Sequence, residues 1–234
     1  MHPNQDELKS YPAKVVASVT SWEDWRGLDG LANDDSCDWL ELRLDLMPKD
    51  IELDALMKIN PTIPVLVTAR RVEEGGQRDM SDEERLSLLA HFLPQAIALD
   101  VEIACLPQAE ALIALAHEKG KLVIASAHDF FGSPPVQDLI HLEHEARRYG
   151  ADVVKFAFRL NRPEDILVGC ELLERRTGAL AVMGMGPLGP CSRLMYAQLG
   201  SCLVYGYYGK VESAPGQWAA GEFKHALRLL KSIR

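Results

Sequence analysis

Cysteine, basic charge and long apolar runs are all scarce in this 234-residue chain. The five cysteines, Cys37, Cys105, Cys170, Cys191 and Cys202, are scattered, odd in number and form no C-x-x-C. That spacing excludes a disulfide framework and a zinc knuckle, and it fits a reducing, cytoplasmic setting. The 25 Lys and Arg are outnumbered by 34 Asp and Glu, for a net charge of −9. Broad electrostatic binding of nucleic acid is thereby excluded, although a local arginine cluster can still receive a small anion. No stretch approaches the roughly 18 apolar residues of a membrane-spanning helix. The polar, acidic start Met-His-Pro-Asn-Gln-Asp-Glu lacks the basic end and apolar core of a secretory signal. Linkers rich in Gly, Ser or Pro are missing too, so residues 1–234 are expected to form one domain. No G-x-G-x-x-G follows the first apolar run, which leaves a nicotinamide or flavin without a visible seat.

The chain does contain a recurrent unit, a short apolar run followed by a longer amphipathic stretch. The runs are Lys14–Val19, Trp39–Leu44, Pro64–Ala69, Ala98–Ile103, Leu122–Ala127, Asp152–Phe158, Leu180–Met185 and Cys202–Tyr207. They recur about every 27 residues, the length of one strand plus a crossover helix. Unalternating runs such as Val65-Leu66-Val67 and Val123-Ile124-Ala125 suit strands buried on both faces of a parallel sheet. Between them, Ser81-Asp82-Glu83-Glu84 is a capping box opening a helix with Leu86, Leu89 and Phe92 on its apolar side. Further helices are expected over Glu110 to Lys119, around Leu139, Leu142 and Ala146, around Ile166, Leu172 and Leu173, and from about Trp218 to Ile233. Eight such units predict a closed (β/α)8 TIM barrel, with a doubly wound open sheet as the alternative.

In a barrel, chemistry sits at the C-terminal ends of the strands. The second run ends in Glu41-Leu42-Arg43-Leu44-Asp45, whose alternation puts the three charges on one face, and the third ends in Thr68-Ala69-Arg70. Inward charges need partners, so these residues form either a site or a structural ion network. The fifth run ends in Ser126-Ala127-His128-Asp129, placing His128 as a general acid/base beside them. His141 and His144, mid-helix with Glu143 and Glu145 and without a third ligand of fixed spacing, read as a solvated face rather than a metal site. Lys155 lies inside the apolar run Val153–Phe158, where it is either an ion-paired core lysine or an amine for Schiff-base chemistry. The loop Gly184–Arg193 leads into a helix whose N-terminus, together with Arg193, suits a carboxylate or phosphate. Residues Glu212 to Gln217 resemble a small-residue lid.

Taken together, E-L-R-L-D, T-A-R-R-V-E-E-G-G, S-A-H-D-F, V-V-K-F-A, the M-G…S-R-L loop and S-A-P-G-Q resemble the type I 3-dehydroquinate dehydratases over nearly the whole chain. These are Schiff-base-forming lyases of the shikimate pathway of aromatic amino acid biosynthesis. The resemblance implies that Lys155 forms the imine with 3-dehydroquinate, that His128 transfers protons and that Glu74 orients His128. It implies that Arg193 receives the substrate carboxylate, and that Glu41, Arg43, Arg70, Ser213 and Gln217 hold ring hydroxyls and close the lid. It further implies a barrel, no cofactor, no metal, a cytoplasmic homodimer and no membrane or nucleic-acid partner. Because the chain ends after the last helix, no fused shikimate dehydrogenase domain is expected. Two other functions compete with this reading. A class I aldolase shares the barrel and the lysine imine, and carbon–carbon cleavage would distinguish it. A non-catalytic barrel has no need of both Lys155 and His128 at neighbouring strand ends.

Overall fold

The structure is a computed structural model that describes residues 13–29, 35–209 and 217–231. Eight strands alternate with eight α-helices among the described residues. They run β1 (Lys14–Val19), α1 (Trp22–Gly27), β2 (Trp39–Arg43), α2 (Leu53–Lys58), β3 (Val65–Thr68), α3 (Asp82–Phe92), β4 (Ala98–Glu102) and α4 (Leu106–Glu118). They continue with β5 (Leu122–Asp129), α5 (Val136–Arg148), β6 (Val153–Arg159), α6 (Ile166–Arg175), β7 (Ala179–Met185), α7 (Gly189–Leu199), β8 (Leu203–Tyr207) and α8 (Ala220–Lys231).

All strand pairs are parallel, in the order β7-β6-β5-β4-β3-β2-β1-β8. Across the remaining seam, Cys202 N donates to Leu180 O at 2.8 Å and Val182 N donates to Ser201 Oγ at 2.9 Å. Higher up, Arg193 on α7 donates Nε to Gly184 O at 3.1 Å and Nη1 to Tyr205 O at 2.5 Å. Backbone and side-chain bonds therefore bring β7 and β8 together in a nearly closed (β/α)8 barrel, as the eight repeated units predict, and the open-sheet alternative falls.

The pleat sorts each strand into two faces. Outward residues such as Val15, Ala17, Leu40, Leu42, Val123, Val154 and Phe156 pack with the helices. Inward residues at the N-terminal end, among them Val16, Trp39, Leu66, Ala98, Leu122, Val153, Ala179 and Leu203, form a separate apolar plug. Each strand's inward row continues upward from this plug, and on every strand except β7 it gains a polar residue.

Local signals place several boundaries. The capping box is formed, with Ser81 Oγ accepting from Glu84 N at 3.2 Å and Glu84 Oε2 from Ser81 N at 2.8 Å. Helix α4 begins at Leu106, ahead of the expected Glu110, because Pro107 is tolerated in a first turn. Helix α8 begins at Ala220 rather than Trp218, since the carbonyl of Trp218 accepts from Tyr207 N at 3.1 Å and Ala219 bridges to Tyr207. The expectation that Glu143 shares a solvated face with His141 and His144 is corrected. Both histidines are exposed, but Glu143 is buried on the Leu139–Ala146 side and accepts from Thr177 N and Oγ1 at 3.2 and 3.1 Å.

Candidate active site

The upper inward positions are Ser18 on β1, Glu41 and Arg43 on β2, Thr68 on β3 with Arg70 just beyond it, and Asp100 and Glu102 on β4. Ser126 and His128 on β5, Lys155 and Ala157 on β6, Met183 and Met185 on β7, and Tyr205 on β8 complete the set. The strand registers set them side by side: Ser18 pairs with Glu41, Arg43 with Thr68, Thr68 with Asp100, Glu102 with Ser126, Ser126 with Lys155 and His128 with Ala157. One cavity opens above them, lined by most of these residues and also by Glu74, Phe130, Arg193 and Gln217.

Lys155 is buried in this cavity. Its Nζ donates to Asp100 Oδ2 at 2.9 Å, lies 3.7 Å from Glu41 Oε1 and sits over the Tyr205 ring, 4.1 Å from the centroid. Glu41 in turn accepts from Ser18 Oγ at 2.5 Å and Thr68 Oγ1 at 2.9 Å. Asp100 accepts from Arg70 Nη2 at 2.8 Å and Ser126 Oγ at 2.6 Å. Burial pushes the Asp100 carboxyl upward, but Arg70 and then Lys155 and His128 outweigh it and hold the group well below the usual carboxylate range. A buried ammonium thus has a fixed anionic partner, as buried charge requires.

Arg70 is engaged on every side. Its Nη1 donates to Glu102 Oε1 at 3.0 Å and Ser126 Oγ at 2.7 Å, and its backbone N donates to Asp45 Oδ1 at 3.1 Å. It therefore braces the carboxylates around Lys155 while also lining the cavity. Glu102 is shared with Arg85 of α3, whose Nη1 approaches Oε2 to 2.5 Å. Arg43 is held by a two-point contact to Asp45, Nε to Oδ1 at 2.9 Å and Nη2 to Oδ2 at 2.7 Å.

Glu74 comes from a 3₁₀ turn, Val72–Glu74, that follows β3. Two glycines make this turn possible. Gly75 has φ of 89°, and a side chain on Gly76 would collide with the carbonyl of Arg70. The turn aims Glu74 Oε2 at His128, accepting from its backbone N at 3.0 Å and meeting Nδ1 at 2.9 Å. Burial is the main cause that pushes the Glu74 carboxyl up to about 7, with Arg70 acting in the opposite direction. Burial, then Arg70 and Lys155, hold His128 well below the ordinary histidine value. With Glu74 ionised, Nδ1 carries the proton and Nε2 is the basic nitrogen.

Arg193 is the exception among the buried cations. Its guanidinium donates to carbonyls alone, no carboxylate pairs with it among the described residues, and burial pulls it down to about 10. A buried cation of this kind has the charge and the free donors to suit an anion. Gln217 is buried against the same cavity, whereas Ser213 lies outside the described residues.

The sequence reading missed Asp100, Glu102, Ser18 and Tyr205 as parts of this site. A signal existed for the first two: Ala98-Leu99-Asp100-Val101-Glu102 shows the same alternation of charge and apolar residue as Glu41–Asp45. Among the described residues no group of three or more His, Cys, Asp or Glu is placed to hold a metal ion, and no helix is long and apolar enough to cross a membrane.

Known proteins are similar to this chain over most of its length. A family model for type I 3-dehydroquinase matches residues 27–234. The 3-dehydroquinate dehydratase of Methanosarcina barkeri is 34% identical over 209 residues, covering 83% of this chain and 86% of its own. The catabolic 3-dehydroquinate dehydratase of Acinetobacter baylyi is 32% identical over 94% of this chain and 87% of its own. Among solved structures, the 3-dehydroquinate dehydratase of Geobacillus kaustophilus superposes with a TM-score of 0.84 at 26% identity, covering 95% of this chain and 92% of its own. The inward polar rows, the double-glycine turn and the barrel thus occur together in a chain that belongs to the type I 3-dehydroquinase family.

Proposed function

We propose that this 3-dehydroquinate dehydratase works through an imine on Lys155, with His128 moving the protons. The observation that carries the reading is the Lys155 amine, buried in the cavity one strand from His128 and below an anion-seeking Arg193. The Arg193 guanidinium receives the substrate carboxylate, and Glu41, Arg43, Arg70, Ser213 and Gln217 order the ring hydroxyls and the lid. Lys155 condenses with the ring ketone and releases water. The protonated imine withdraws electrons from the adjacent carbon, so that His128 Nε2 can take its proton. The tertiary hydroxyl then leaves as water with a proton from His128, and hydrolysis of the imine frees Lys155 and 3-dehydroshikimate. Glu74 keeps the imidazole turned and its Nδ1 protonated throughout. The reading also takes residues 1–234 as one cytoplasmic catalytic domain, on the missing linkers and the scattered cysteines, and as a homodimer on the resemblance, with no cofactor.

The test is reduction with borohydride in the presence of 3-dehydroquinate, followed by intact-mass analysis. A stable adduct of one reduced ligand per chain is expected, with peptide mapping placing it on Lys155. Dehydration that proceeds at full rate with no trappable adduct would sink the imine.

The His128–Glu74 pair sets an expected pH dependence. Glu74 is raised to about 7, so falling pH adds a proton to the pair through that region and removes the free base. kcat/KM is expected to fall as pH drops below about 7 and to level off above it. Glu74→Gln removes the shared carboxylate, so it is expected to lose this limb and about a hundredfold or more in rate. An unchanged acid limb in Glu74→Gln would assign the titration elsewhere.

A further inference from the structure

Tyr205 has no role in the reading above, yet it touches both ends of the cavity. Its carbonyl accepts from Arg193 Nη1 at 2.5 Å, and its ring face lies under Lys155 Nζ at 4.1 Å. Its hydroxyl is buried and has no hydrogen-bond partner among the described residues. Other buried side-chain atoms without a hydrogen bond belong to Arg85, Ser133, Glu143 and Arg147, none of which lines this cavity. Native structures seldom leave a buried hydroxyl unpaired without reason. The neighbouring acceptors are already engaged, Glu41 by Ser18 and Thr68, and Asp100 by Arg70, Ser126 and Lys155.

We propose that Tyr205 is a catalytic residue of the imine-forming step: its ring face stabilises the cationic nitrogen of Lys155, and its hydroxyl hydrogen-bonds the oxygen that leaves as water. The inference rests on the imine reading and extends it. Written from the neutral amine that attacks, condensation forms the C=N bond and breaks the C=O bond. One proton from the nitrogen and one taken up from solvent depart with the oxygen as water, which leaves a cationic iminium nitrogen. A ring face beneath that nitrogen favours the iminium over the neutral amine and carbinolamine that precede it. The departing oxygen is bonded to the carbon attached to Nζ, which brings it within reach of the tyrosine's rim. Burial, then Glu41 and Asp100, keep the phenol protonated and therefore a donor.

The test compares wild type, Tyr205→Phe and Tyr205→Leu by two measurements with 3-dehydroshikimate. One is the adduct trapped by borohydride at saturating ligand. The other is the rate at which the ketone oxygen exchanges with ¹⁸O-labelled water, which reports imine formation and hydrolysis directly. Phe keeps the ring and loses the hydroxyl, so trapping is expected to stay near wild type while exchange slows about tenfold. Leu loses both, so trapping is expected to fall about tenfold as well. Recovery of trapping from Leu to Phe separates the ring's action from general damage to the fold, which circular dichroism checks independently. Wild-type exchange in Tyr205→Phe, or wild-type trapping in Tyr205→Leu, overturns the corresponding half of the inference while the imine stands. Absence of trapping in the wild-type enzyme overturns the imine reading and this inference with it.

Discussion

Lys155→Ala is expected to abolish both dehydration and borohydride trapping. Lys155 is the one lysine whose Nζ reaches the cavity among the described residues, held by Asp100 and facing Glu41 and Tyr205. Without its amine there is no electron sink, and the carbon acid beside a ketone must be deprotonated unaided. Loss of the cation also leaves Asp100 with Arg70 as its remaining charged partner, so the variant is expected to be somewhat less stable. Lys155→Met, which keeps the volume of the aliphatic stem, separates lost chemistry from lost folding. Both variants should be inactive even where the methionine form unfolds at the wild-type temperature. An adduct mapped to any other lysine, or measurable dehydration by folded Lys155→Met, would contradict the assignment.

His128→Ala is expected to fail at a later step. Condensation needs the amine and a seat for the carboxylate, and Lys155 and Arg193 both remain. Removal of the carbon-bound proton needs a base within hydrogen-bond reach, and general acid–base help of this kind is worth about 10²–10⁴ in rate. Dehydration should therefore drop by about that factor while a borohydride-trappable adduct persists. The backbone contact from residue 128 to Glu74 does not depend on the imidazole, so the double-glycine turn should hold its place. Single-turnover kinetics with trapping at successive times distinguishes the two variants: no adduct for Lys155→Ala, a long-lived adduct for His128→Ala. A rate near wild type in His128→Ala would mean that another group is the base.

Much of the architecture was legible along the chain because its causes are local. Eight apolar runs at regular spacing and the Ser81–Glu84 capping box each act over a few residues, and the structure shows both in use. Alternation in Glu41–Asp45 correctly indicated an inward row of charge, because the pleat of a strand has a period of two regardless of what it faces. The misjudged face of Glu143 arose from composition, since a glutamate between two histidines looks solvated until the Thr177 donors appear.

The pairing of those charges lies beyond local pattern. Lys155 meets Asp100 from 55 residues away, and Arg70 reaches Ser126 across 56. Such partners are chosen by the relative register of neighbouring strands and by closure of the barrel, and neither leaves a periodic trace in the chain. Closure likewise gives Arg193 two tasks at one place, joining β7 to β8 through carbonyls and remaining a cation without a carboxylate. It is also what slides the ring of Tyr205 under Lys155, since β6 and β8 become near neighbours across the interior only when the sheet curls. Residue types and their spacing therefore announced a barrel with a lysine inside an apolar strand. The assignment of partners and the unpaired hydroxyl followed from packing eight inward rows into one interior, where every buried charge but Arg193 meets a counterpart or a shared hydrogen bond.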